Sequence, residues 1–345
     1  MERMRAIRKM KPGKGMELTE TGILKPDYGE VLVKVKACSL CGTDIHIYNW
    51  EPPWDTRIKP PRTTGHEVCG DVVEVGGGVK GLQEGDFVSA ESHIACNACY
   101  QCKMGNLHIC RDIKFFGVDI DGTWAEYVVM PEQNAWKNPK DMKPEIATLQ
   151  ESLGNSVYTV SEAGVFGKTV SVFGLGPTGL FAIGLAKAGG ASRIMAVGGT
   201  ELHLKLAKKM GADVLINRHN EDAVKRIMEE TDGIGADVLL EMAGSQAAIE
   251  QGLKSLKATG KACLLGLPPQ KVTVDWSKDI VLKDITIRAI YGRLMFKTWD
   301  QTSKLLLSKR IDIEPVITHR LKLEEWEKGI EAAASGQAGK VVMFP

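Results

Sequence analysis

Four of the eight cysteines crowd into one stretch, as Cys96-x2-Cys99-x2-Cys102-x7-Cys110. Four thiolates complete a tetrahedral zinc shell with no position left for water, so an ion held there would be structural, tying down a loop that has no core of its own. An iron–sulfur cluster uses the same ligand set, and spacing alone leaves that alternative open. Disulfides fit less well, because nothing at the N-terminus reads as an export signal and thiols inside a cell stay reduced. A second motif is Gly174-Leu-Gly176-Pro-Thr178-Gly179, a G-x-G-x-x-G that follows the apolar run TVSVF at 169–173 and opens a helical stretch. In that setting Gly174 permits the tight turn, Gly176 lets a pyrophosphate approach the backbone, and Gly179 allows close helix–strand packing. A third group is scattered: Cys41, His66 with Glu67, and Glu151. A thiolate, an imidazole and carboxylates suit a catalytic zinc that keeps one position open. Taken singly, Cys41 could be core, His66 a capped turn residue and Glu151 a solvated helix end; the metal reading draws its strength from their company with a nucleotide-binding motif.

Two textures position these residues. The first part alternates in period two at 30–38 and runs extended at 67–75, with further strands expected at 86–91 and 124–129. Gly and Pro punctuate the intervals, which points to a small β-barrel. After about residue 154 the pattern becomes strand–helix alternation, with strands at 169–173, 193–197, 213–216, 236–240, 262–265 and 284–290 and helices reaching Gly189 and covering 200–210. That alternation predicts an α/β doubly wound parallel sheet. A helix near 298–308 and the strand-like KVVMF complete the chain, the tail returning to the first domain. The expected division is 1–153 with 293–345 for the catalytic domain and 154–292 for the dinucleotide-binding domain.

Among 345 residues, 44 Lys and Arg face 43 Asp and Glu, giving a net charge of +1. That balance offers no reason to expect nucleic acid or an anionic membrane as partner. No run reaches the ~18 apolar residues of a membrane span, and the basic N-terminus has no apolar stretch behind it, so a cytoplasmic protein acting on a small molecule is expected.

The stretch Gly65-His66-Glu67, the glycine-rich run to Gly81 and the pair Gly85-Asp86 resemble the zinc signature of the medium-chain alcohol dehydrogenases, and the likeness extends over essentially the whole chain. Within that family, the segments Cys41-Gly-Thr-Asp-Ile-His-Ile-Tyr-Asn-Trp50, Phe116-Gly-Val-Asp119, Glu151 with Leu153-Gly-Asn155, Tyr291-Gly-Arg293, Thr298-Trp299 and Ile317-Thr-His-Arg320 are similar to the L-threonine dehydrogenases. Ser152 departs from that pattern, which commonly has Pro there. The resemblance implies a GroES-like barrel beside a Rossmann domain, two Zn²⁺ per chain, a nicotinamide cofactor, a homotetramer, and oxidation of L-threonine to 2-amino-3-oxobutanoate. A polyol or another secondary alcohol, and a non-catalytic protein on the same fold, are the competing readings. It implies that Cys41, His66 and Glu67 bind the catalytic zinc. Glu151 would be a further ligand or a carboxylate that exchanges at the metal. Thr43 and His46 would relay a proton outward. Besides the glycine motif and Thr178, it implies cofactor contacts from Leu265, Gly266, Leu267, Ile290 and Tyr291. Arg293 is a candidate partner for a substrate carboxylate, or else a structural ion-pair residue.

One departure bears on the cofactor. NAD-selective folds place a carboxylate at the end of the second strand, and this chain has Gly198 there, with His203 where the subfamily has Arg. Glu201 falls in the first turn of the next helix. Without the carboxylate, the pocket is expected to widen and Thr200, His203 and Arg218 to receive the 2′-phosphate of NADP.

Overall fold

The computed structural model describes residues 2–345 and divides them into two compact units, one running through Ser152 and resuming at Ile317–Pro345, the other spanning Leu153–Val316. In the first unit the strand Glu30–Ser39 is the organising element. Its inward residues Val31, Val33, Val35 and Ala37 are buried while Lys34 and Lys36 face out, the alternation of a half-buried strand. One edge pairs antiparallel with Glu67–Val75. The other pairs first with Tyr127–Pro131, from Glu30↔Pro131 to Lys34↔Tyr127, and then with Lys340–Phe344, through Cys38↔Met343 and Ser39↔Val342. The tail therefore enters the sheet of the first unit. The strand expected at 124–129 begins only at Tyr127: Trp124 is fully buried, and Ala125 makes only an isolated bridge to Ala6.

The second unit carries a six-stranded, wholly parallel sheet in the order Val214–Asn217, Arg193–Gly198, Thr169–Phe173, Ala236–Glu241, Leu256–Leu264, Thr286–Ala289. Counted along the chain this is 3-2-1-4-5-6, the doubly wound order whose ligand crevice lies beyond the carboxyl ends of the first and fourth strands. Thr200, Asp222 and Ser245 cap the helices Glu201–Met210, Ala223–Glu229 and Gln246–Ser255 with side-chain oxygens.

The division differs from the expected one at 293–316, which belongs to the second unit. Apolar packing explains why. The helix Lys297–Leu307 buries Trp299, and Ile311 lies against the open face of Gly184 in the helix Pro177–Ala188.

Candidate active site and metal centres

The cysteine loop closes on itself. The sulfur atoms of Cys96, Cys99, Cys102 and Cys110 all lie within 4.8 Å of one another, with Cys99 Sγ 3.5 Å from Cys102 Sγ and 3.8 Å from Cys110 Sγ, and none is in a disulfide. Zinc–sulfur bonds of about 2.3 Å imply tetrahedron edges of about 3.8 Å. The sulfurs thus surround the space of a single ion, too tight for a cluster of several irons. Backbone N–H groups point inward at them: that of Cys96 donates to Cys110 Sγ and that of Cys99 to Cys96 Sγ, each at 3.3 Å. The Cys99 thiol is lowered to about 6, chiefly by the N–H of Cys102, while burial and the Cys99 sulfur push Cys102 up to about 12.

The second centre is assembled from distant segments. Cys41 is the N-cap of the helix Gly42–Asn49, and its backbone N–H donates to Asp44 Oδ2 at 2.9 Å. His66 and Glu67 follow Gly65, whose φ of +85° and contact with the Trp124 ring would not accommodate a side chain. Ligand atoms of Cys41, His66 and Glu67 lie within 4.8 Å of one another. Burial alone would lower the His66 pKa, but the Asp44 carboxylate, 3.6 Å away, and then Cys41 outweigh it and hold the imidazole well above its ordinary value. Glu67 is buried and meets Lys340 Nζ at 2.7 Å and the hydroxyl of Ser39; Ser39 in turn accepts the Trp124 indole N–H through its carbonyl. Lys340 is 1% exposed, and its pKa is raised because Glu67 and Cys41 more than offset its burial.

Glu151 stands apart from that trio. It is 4% exposed rather than a solvated helix end, and its Oε1 accepts from Ser92 Oγ at 2.5 Å. Thr43 and His46, three residues apart, share one face of the helix Gly42–Asn49, with His46 at its exposed end.

In the second unit the glycine motif has the geometry its chemistry needs. Gly174 has φ of +99°, Gly176 is the N-cap of the helix Pro177–Ala188 with open space beside its Cα, and a Cβ on Gly179 would sit 1.9 Å from Gly174 O. An uncluttered helix N-terminus there fits a pyrophosphate. Thr178 lies in the first helical turn, its carbonyl accepting from Ser156. The backbone of Leu267 crosses directly over Gly244, with Leu265 and Gly266 beside it, and the side chains of Leu267 and Tyr291 are exposed while Ile290 is buried.

The expectation for Gly198 is corrected. Gly198 does not widen a pocket, because the Leu175 side chain fills the space where its Cβ would be, at 2.4 Å. One residue on, two side chains lie over the backbone: a Cβ at Gly199 would lie 2.8 Å from both Arg218 Nε and His219 Nε2. Thr200 and His203 partner each other, Oγ1 to Nδ1 at 2.9 Å, in the helix cap. Arg293 is 1% exposed and donates to Asn155 Oδ1 at 3.1 Å, a contact within its own unit.

Residues 27–140 match the model described as the alcohol dehydrogenase GroES-like domain, and residues 177–308 that of the zinc-binding dehydrogenase. The chain is 50% identical over 344 residues to L-threonine 3-dehydrogenase of Pyrococcus horikoshii, covering 99% of each. The chain belongs to the zinc-binding alcohol dehydrogenases. Over 343 residues this dehydrogenase is 47% identical to L-threonine 3-dehydrogenase of Bacillus subtilis, again covering 99% of each. A solved zinc-binding dehydrogenase of Sinorhizobium meliloti 1021 bound to NADP superposes with a TM-score of 0.93 at 30% identity, covering all of both chains.

Sequence reading of this dehydrogenase missed Asp44, Lys340, Ser39 and His219. Asp44 was in view inside the Cys41–Trp50 segment, and its signal was the acidic residue three places after a candidate ligand. Lys340 had none, since it reaches Glu67 only through the register of the strand Lys340–Phe344.

Proposed function

We propose that this dehydrogenase oxidises L-threonine to 2-amino-3-oxobutanoate. The buried trio of Cys41, His66 and Glu67, in a chain matched end to end by L-threonine 3-dehydrogenases, carries that reading. Cys41, His66 and Glu67 would hold a catalytic zinc, with Glu151 available to it as an exchanging carboxylate. The four-thiol loop would hold a structural zinc. When bound, the catalytic ion supplies Lewis acidity to an alcohol oxygen and the nicotinamide accepts hydride. The chain's own part is positioning and proton movement. Asp44 orients the His66 ring, Lys340 balances Glu67, and the Thr43 hydroxyl passes the substrate proton toward His46, whose exposed ring releases it to water.

NADP is the cofactor this reading favours. Arg218 has no hydrogen-bond or ion-pair partner for its side chain among the described residues, and with His219 it brackets the bare backbone of Gly199, a setting for a phosphate. Glu201 is the first helical residue after its Thr200 cap, outside that bracket. A homotetramer, or at least self-association, is supported by the outer strand Thr286–Ala289. It is exposed throughout, and Trp276, Val281 and Leu282 stand exposed on the chain just before it. Among the described residues no helix is long and apolar enough to cross a membrane, and all eight cysteines are free, in keeping with a reducing cytoplasm.

A panel of L-threonine, polyols and simple secondary alcohols with NAD⁺ and NADP⁺ tests this. The highest kcat/KM is expected for L-threonine, and a polyol ranking above it would overturn the substrate. Calorimetric titration with adenosine 2′,5′-bisphosphate should give binding that weakens on the order of tenfold in Arg218→Ala, the loss of one charged hydrogen-bond set. Equal affinity for 5′-AMP in the parent protein would overturn the cofactor preference.

A further inference from the structure

The helix Gly42–Asn49 ends at Trp50, whose φ of 65° and ψ of 47° turn the chain sharply back, its N–H bonding the carbonyls of His46 and Ile47. The reversal lays Glu51 alongside His46 in three ways. Glu51 N–H donates to His46 O at 3.0 Å, Glu51 Oε2 lies 2.5 Å from His46 Nδ1, and Glu51 Oε1 accepts from Asn49 Nδ2 at 2.9 Å. Both carboxylate oxygens are thus engaged, one fixed by an amide and the other aimed at a single ring nitrogen. Thr43 lies one turn earlier on the same helical face.

We propose that Glu51, held by Asn49, is the positioning residue of His46, fixing the neutral ring as the Nδ1–H tautomer so that Nε2 is the proton acceptor. This rests on the relay reading of Thr43 and His46. A carboxylate accepts but cannot donate, so a neutral imidazole facing it must carry its proton on the facing nitrogen. As a proton arrives, an O–H bond breaks on the donor side and an N–H bond forms at Nε2. The Nδ1–H stays in place, and the cationic ring then lies against the Glu51 anion until water takes the Nε2 proton. The Glu51 carboxyl is held below its ordinary value by His46 first, against slight burial, and then by Asn49; no other charged group contributes. The side chains of His46 and Glu51 are 54% and 44% exposed, so the pair stands in water at an outlet for protons and its contribution is geometric rather than a store of stability.

The test uses the zinc-loaded full chain with histidine ring nitrogens labelled, the seven histidines being sorted by the signals that vanish in His46→Ala. In the parent at alkaline pH, where imidazole rings are neutral, His46 should show the Nδ1–H tautomer. Glu51→Ala should move it toward the Nε2–H form and lower kcat on the order of tenfold, as loss of an orienting partner does, with KM and zinc content unchanged. Glu51→Gln, which still accepts a hydrogen bond, should restore the tautomer and most of kcat. An unchanged tautomer and kcat in Glu51→Ala overturns the proposal. Normal turnover in His46→Ala would instead overturn the relay, and it is told apart because the tautomer signals of the parent and Glu51→Ala still differ.

Discussion

The two candidate metal centres of the first unit are built on opposite plans. The four-thiol loop takes every ligand from Cys96–Cys110 and surrounds the sulfurs with its own backbone N–H groups. The Cys41, His66 and Glu67 centre draws on a helix cap and a strand start and is backed by side chains, with Asp44 behind the imidazole and Lys340 beneath the carboxylate. A site made from one loop needs only local turns, and its purpose is to hold that loop. A site made from distant segments needs the whole sheet in register, and buried charges on one of its walls must balance those on another.

Exchanging the damage separates the two plans most sharply. Cys41→Ser should abolish turnover while leaving the thermal midpoint nearly unchanged. Cys102→Ser should lower the midpoint and empty the loop, because metal affinity there is folding free energy. Elemental analysis with scanning calorimetry reads both, and a Cys102→Ser protein of normal stability that has lost only turnover would reverse the assignment. Next comes Lys340→Met, which strands the Glu67 carboxylate in the interior. Removing one member of such a buried pair costs about 3–5 kcal/mol, measurable by denaturant unfolding, and no comparable carboxylate balance exists to be broken within the thiol loop. A variant as stable as the parent would mean that water or another group already serves Glu67. The smallest effect belongs to Asp44→Asn. Zinc affinity at the distributed centre should fall roughly 10–100-fold, the usual cost of an outer partner to a ligating histidine, while the cysteine loop keeps its ion under the same chelator competition.

The contrast also governs what could be read in advance. The thiol loop was legible because its ligands sit a few residues apart, so spacing is geometry. The parallel sheet was legible because strand–helix alternation and the glycine motif are both local, and Gly174 and Gly179 have the positive φ and the close packing expected of them. Cys41, His66 and Glu67 came through likeness to a family, since nothing local says that residues 41 and 66 meet. Lys340 was invisible because only pairing of the strands Lys340–Phe344 and Glu30–Ser39 carries it under Glu67. The space beside Gly198 was misjudged for the same kind of reason: whether a missing side chain leaves a hole depends on the neighbour, here Leu175, which lies on another turn. The boundary near 293 was missed because Trp299 and Ile311 carry no label saying which core they enter.

The first unit is interrupted by residues 153–316, and its sheet is finished only by a strand that lies beyond them. During synthesis at roughly 5–20 residues per second, the intervening unit takes roughly ten to thirty seconds to appear. For that interval Cys41, His66 and Glu67 exist without Lys340, and one edge of Glu30–Ser39 waits for its later neighbour. The second unit, continuous in the chain, has no such wait. The order of birth therefore runs against the order of the sequence: the middle of the polypeptide can complete its fold first, and the distributed metal centre matures after it.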